Sequence, residues 1–223
     1  DGVLLAEPLL VVPDASAPGT DVSQESGLRS IAFHPEFESN GRLYVYYDNL
    51  SRDQVLVQYA VADPDADVAD SPSAATVLSI DDTVTNHNGG ALAFGPDGYL
   101  YVGTGDSGGT TDPQDLAEVT TSLRGKILRI DVTTLPYASP STNPFSGAEG
   151  ADEIIAMGVM NPLAMTFDPA TGDAFFSEEC FASGHWCEVN VLRRGTVVDG
   201  LVSHFGWDHR SGAHCYEPMI GCA

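Results

Sequence analysis

The chain of 223 residues sets 9 lysines and arginines against 32 aspartates and glutamates, for a formal charge of −23 and a pI near 4.1. That balance argues against nucleic acid and anionic membrane surfaces, because both demand a cationic footprint. With 43% hydrophobic residues the chain can bury a sizeable core, yet no apolar run is long enough for membrane insertion.

Taken in order, residues 1–13 read as one strand, and with no signal peptide visible at Asp1 the chain reads as a processed piece of a longer precursor. The first hairpin follows, with strands at Ser30 to Pro35 and Arg42 to Tyr47 and a turn ending in Asn40-Gly41. Gln54 to Ala60 alternates as a third strand, and the acidic, proline-bearing stretch Asp63 to Pro72 reads as a loop. Next comes Asn86-His87-Asn88-Gly89-Gly90, which opens a tight hairpin of Ala91 to Phe94, the turn Pro96-Asp97-Gly98 and the return strand Tyr99 to Val102. The two glycines let backbone approach a ligand closely, and the His87 imidazole can take a proton near neutral pH, so the hairpin reads as a catalytic mount. Gly125 to Asp131 is a further strand; Asp115 to Leu123 forms at most a turn or two.

One template recurs. Phe33-x-Pro35, Phe94-x-Pro96 and Phe167-x-Pro169 each close an apolar strand and lead through a turn glycine to another strand, and the phenylalanines lie 61 and then 73 residues apart. A long, loose period built of strands and turns points to propeller blades. Blade-like repeats fall around 27–80, 86–133 and 153–195, with the start of a further blade at 203–223, all in one partial propeller over 1–223. A propeller closes with about four to eight blades, and three leave bare strand edges, so a fragment of a larger ring is expected. Cys180, Cys187, Cys215 and Cys222 sit in the last quarter and suit two short-loop disulfides in an oxidising compartment. The sequential pairing 180–187 and 215–222 is preferred, with the other pairings open.

Several stretches together resemble the glucose/sorbosone dehydrogenase family, the soluble quinoproteins with hedgehog-interacting-protein-like relatives. They are Gly27 to Phe37, the Asn86-to-Gly90 loop with Gly103-Thr104-Gly105-Asp106, Leu123 to Asp131, Gly158-x-x-Asn161-Pro162, Glu188-Val189-Asn190, and Phe205-Gly206-Trp207 with His214-Cys215-Tyr216, all in the family's order. The resemblance implies an all-β, six-bladed β-propeller, of which this chain would supply a little over three blades. It further implies a secreted or periplasmic enzyme that oxidises an aldose to its lactone, with hydride passing to pyrroloquinoline quinone (PQQ) on a calcium ion. A small-molecule sugar and an external electron acceptor would be its partners. Carried over by the resemblance, His87 would be the general base and Asn86 would stand where some members have an aspartate that orients it. Glu25 would fall near a cofactor-contacting position, Asn161 in the cofactor motif, and Glu179, Cys180 and Phe181 on the loop whose carbonyls hold the quinone's calcium. Glu188 and the carbonyl of Phe205 would belong to a second calcium site, since oxygen ligands suit that hard cation.

Two departures stand out. Met160 replaces the arginine of the family's Gly-x-Arg-Asn-Pro run, and losing a buried charge partner typically costs ~2–5 kcal/mol of binding. Ser177-Glu178-Glu179-Cys180, with a cysteine-bounded loop, replaces the usual Gly-Asp-Val-Gly-Gln. These support an alternative: a non-catalytic extracellular propeller that binds a protein or glycan partner.

Overall fold

A computed structural model of the chain describes residues 7–15, 25–63, 68–82, 84, 86–108, 112–179 and 186–215. In chain order they form β1 (Leu28–Phe33), the short helix α1 (Phe37–Asn40), β2 (Arg42–Asp48), β3 (Gln54–Ala60), β4 (Asp70–Ile80), β5 (Ala91–Phe94), β6 (Leu100–Thr104), β7 (Lys126–Ile130) and β8 (Ile154–Met157). There follow β9 (Pro162–Phe167), β10 (Ala174–Glu178), β11 (Glu188–Leu192), the short helix α2 (Arg194–Val198), β12 (Ser203–His204), β13 (Arg210–Ser211) and β14 (His214–Cys215).

The hairpins form where turn chemistry and alternation place them. Gly41 at φ 60° ends α1 and turns the chain into β2, and Gly98 at φ 81° closes the β5–β6 turn, conformations that an L side chain resists. β1 to β4 make a four-stranded antiparallel sheet in sequence order. β5 to β8 make a second, extended at its β8 edge by a short parallel pairing with β12, and β9 to β11 make a third. β5 lies against both β1 and β9, so the first strands of the three sheets stand side by side.

The sheets stack face to face. Tyr44, Tyr46, Leu56 and Leu78 of the first sheet meet Leu92, Leu100, Leu128 and Ile130 of the second in one core. Tyr101, Ile127 and Ile155 meet Ala174, Phe176 and Leu192 of the third in another. Each fully buried leucine, isoleucine or phenylalanine among them stabilises the fold by about 1.5–3 kcal/mol. Among the described residues no helix is long and apolar enough to cross a membrane.

Two expectations change. Residues 7–13 form no strand; Leu9, Leu10 and Val12 pack on the outer face of the first sheet, and the adjoining Ala15 bridges Asn49. Pro8 and Pro13 lack the N–H that a strand would need there. Residues 70–72, placed in a loop by composition, begin β4, whose position at the sheet edge tolerates Pro72. Cys180, Phe181 and Cys222 lie outside the described residues, as does one cysteine of each preferred disulfide.

Candidate functional site

The loop between β4 and β5 carries His87 in a left-handed conformation, φ 56°, which only close tertiary support makes tolerable for a residue with a side chain. That support is backbone: the Ser107 N–H donates to the His87 carbonyl at 3.2 Å, and the Gly90 N–H donates to Gly103 at 3.2 Å. The loop presses so closely on the end of β6 that a Cβ at Gly105 would stand 1.6 Å from the His87 carbonyl oxygen. Here glycine is required by space rather than by turn geometry.

The imidazole is 1% exposed, and its Nδ1 lies 2.8 Å from Asp106 Oδ1. The other Asp106 oxygen accepts the Trp207 indole N–H at 2.7 Å, and the Gly108 N–H donates to Oδ1 at 2.9 Å. Burial pulls the His87 pKa down, but the Asp106 hydrogen bond and charge, with the charges of Glu25 and Glu179, offset it and leave the pKa above the ordinary value. A histidine held in this way has one nitrogen oriented by a carboxylate, which also favours its charged form.

Beside it, Asn161 gathers the second group. Its Oδ1 accepts the Gly89 N–H at 2.9 Å, and its amide NH₂ donates to both oxygens of Glu25 at 3.1 Å and to Glu179 at 2.9 Å. Burial, and then the hydrogen bond and charge of Glu25, raise the Glu179 pKa. Arg29 donates to Glu25 and to the buried Asp48 at 3.3 and 3.1 Å. Burial lifts Asp48 to about 6 against the pull of Arg29.

At the end of β10, Glu178 and the following Glu179 both line a small cavity with Glu188, Phe205, Trp207 and Arg210, and Glu179 also reaches Asn161. Glu178 accepts from the Met160 N–H at 2.7 Å and from Asn190 at 2.8 Å. Burial, with the Glu188 charge added and the Met160 N–H opposing, pushes its pKa to about 8. Met160 itself is 4% exposed and packs with Ala117 and Trp207.

The structure thus brings His87, Glu25, Asn161 and Glu179 together, and places Glu188 and Phe205 on the neighbouring cavity. Asn86 is only half-buried, and the carboxylate that orients His87 comes from Asp106. Asp106 and Trp207 were visible in the sequence only as parts of family-like runs. Lys126 likewise lies in such a run, with nothing to mark its role: its buried ammonium donates to the carbonyls of Leu116, Ala117 and Arg124 at 2.7, 2.9 and 2.7 Å and so fastens the loop over Ala117. Burial lowers its pKa to about 8.

Among the described residues no three His, Cys, Asp or Glu side chains are grouped to hold a metal. Glu25 and Glu179 abut, and Arg29 is already engaged by Glu25 and Asp48. Such a donor set repels a bare polyanion.

The model of the family described as glucose/sorbosone dehydrogenase matches residues 6–218. The chain is 28% identical to the HIPL2 protein of Arabidopsis thaliana, over 92% of this chain and 37% of that protein. It is 35% identical to the hedgehog-interacting protein of Mus musculus, over 73% and 25% respectively. Its fold superposes on the PQQ-bound form of the aldose sugar dehydrogenase of Streptomyces coelicolor with a TM-score of 0.70 and 31% identity, covering 92% of this chain and 53% of that one. The expected propeller is borne out at the level of the fold, and the chain spans between a quarter and about half the length of these relatives.

Proposed function

The chain belongs to the glucose/sorbosone dehydrogenase family, and from that premise we propose that it is the His-bearing part of a quinoprotein sugar dehydrogenase that oxidises an aldose to its lactone. His87 is the general base: it takes the proton of the sugar's anomeric hydroxyl at Nε2, while Asp106 holds Nδ1 and stabilises the imidazolium that forms. The observation that carries this reading is the buried 2.8 Å contact between His87 and Asp106. Correct placement of such a base typically contributes ~10²–10⁴ in rate.

Asn161, Glu25 and Glu179, with the carbonyls of Cys180 and Phe181, would hold the quinone and its calcium, and Glu188 with the Phe205 carbonyl a second calcium. When bound, the quinone supplies hydride acceptance. Burial of His87 excludes water from the proton it carries. An external acceptor would then reoxidise the cofactor, in a secreted or periplasmic setting.

Met160 favours a second reading, a non-catalytic propeller that binds an extracellular partner, because a buried thioether offers no charge to an anionic cofactor. The two separate in one assay. The full-length protein is loaded with calcium and the quinone, and dye reduction is followed with a panel of aldoses. Turnover that falls ~10²–10⁴-fold in His87→Ala is the expected result. No turnover with any sugar would leave the binding reading in its place.

A further inference from the structure

Trp207 lies 101 residues from Asp106 in sequence, yet its indole N–H donates to Asp106 Oδ2 at 2.7 Å while Oδ1 of the same carboxylate meets His87. With the Gly108 N–H on Oδ1 as well, both carboxylate oxygens are engaged and the group has one rotational setting. The indole is 3% exposed, its backbone N–H donates to the Gly158 carbonyl at 3.0 Å, and Ala117 and Met160 pack against it. Gly158 in turn donates to the Ala117 carbonyl, which also accepts Lys126.

We propose that Trp207 is a positioning residue for the His87 site: its indole N–H fixes the rotation of Asp106 and draws off part of its charge, with Met160 clamping the indole. Its catalytic consequence rests on the reading of His87 as a base; its effect on the imidazole does not. Met160 thereby gains a role of its own. Where a family motif has an arginine, this chain has a flexible apolar side chain that fills the space beside Trp207.

The sign of the effect follows from the charges. A donor on Oδ2 shares the carboxylate's negative charge, so its removal concentrates that charge on the oxygen facing His87 and favours the imidazolium. The other charged groups near the pair are Glu25 and Glu179 on the His87 side and Asp112 and Lys126 on the Asp106 side, and Trp207→Phe alters none of them.

The test is an NMR titration of the His87 ring in the full-length protein and in Trp207→Phe. The expected result is a rise in the His87 midpoint of roughly half a unit, about a threefold gain in proton affinity. A folded variant with an unmoved midpoint overturns the proposal, since a merely structural tryptophan would lower the melting temperature and leave the ring's titration alone. If Trp207→Phe fails to fold, the wild-type protein still decides. The Trp207 indole proton should shift through the His87 midpoint, and a resonance indifferent to that titration overturns the proposal. A shift seen in a protein that oxidises no sugar would sink the dehydrogenase reading while leaving the positioning role intact.

Discussion

In the sheet of β1 to β4 most buried side chains are apolar or aromatic, such as Tyr44, Val45, Tyr46, Val55 and Leu56, with the polar Asp48 and Gln54 buried at the strand ends. Around His87 the buried residues include Asn88, Asp106, Ser107 and Asn161, and the backbone turns left-handed at His87, Gly89, Ser107 and Gly108. The sheet is held by apolar area, which tolerates exchange of one hydrophobic residue for another of similar volume. The loops are held by hydrogen bonds of fixed direction, where one lost partner strands another. One region should therefore fail through stability and the other through activity.

Gly105→Ala should break that contrast most sharply. Its new Cβ would overlap the His87 carbonyl, and only movement of backbone relieves the clash, so a loss of about 4 kcal/mol or more is expected together with the loss of turnover. Chemical denaturation beside a dye-reduction assay measures both. Leu128→Ala, between the first two sheets, should cost about 3 kcal/mol through the cavity it leaves, with turnover at low temperature nearly unchanged. Equal losses of activity in the two variants would erase the distinction.

A smaller effect concerns Glu178, whose pKa burial raises from the ordinary 4.5 to about 8 in the folded chain. Between those values the folded chain holds a proton that the unfolded chain has released. Its contribution is complete below pH 4.5 and is lost as pH rises towards 8. Melting temperatures measured from pH 5 to pH 8 should fall less steeply in Glu178→Gln than in the wild type. An identical slope would show that the carboxyl is not titrating there.

The same contrast explains what could be read from the sequence. The hairpin at 91–104 is local, fixed by alternation and by Gly98, and so is legible in a dozen residues. Strand ends are illegible where composition competes with position, as at Pro72, since an edge strand has no partner waiting for the missing N–H. His87 and Asn161 could be singled out by the motifs that hold them. The partners that give them their chemistry could not: Asp106 is 19 residues from His87 and Trp207 a further 101 away, and only the stacking of sheets brings them together.

The most direct test of the His87–Asp106 pair as the working base is the pH profile of aldose oxidation in wild type and Asp106→Asn. The base must be neutral to accept a proton, so the rate should fall on the acid side about a midpoint above that of an ordinary histidine. Asp106→Asn should move that midpoint down and lower the plateau. A midpoint that ignores the substitution, or a profile with no acid limb, would contradict the assignment.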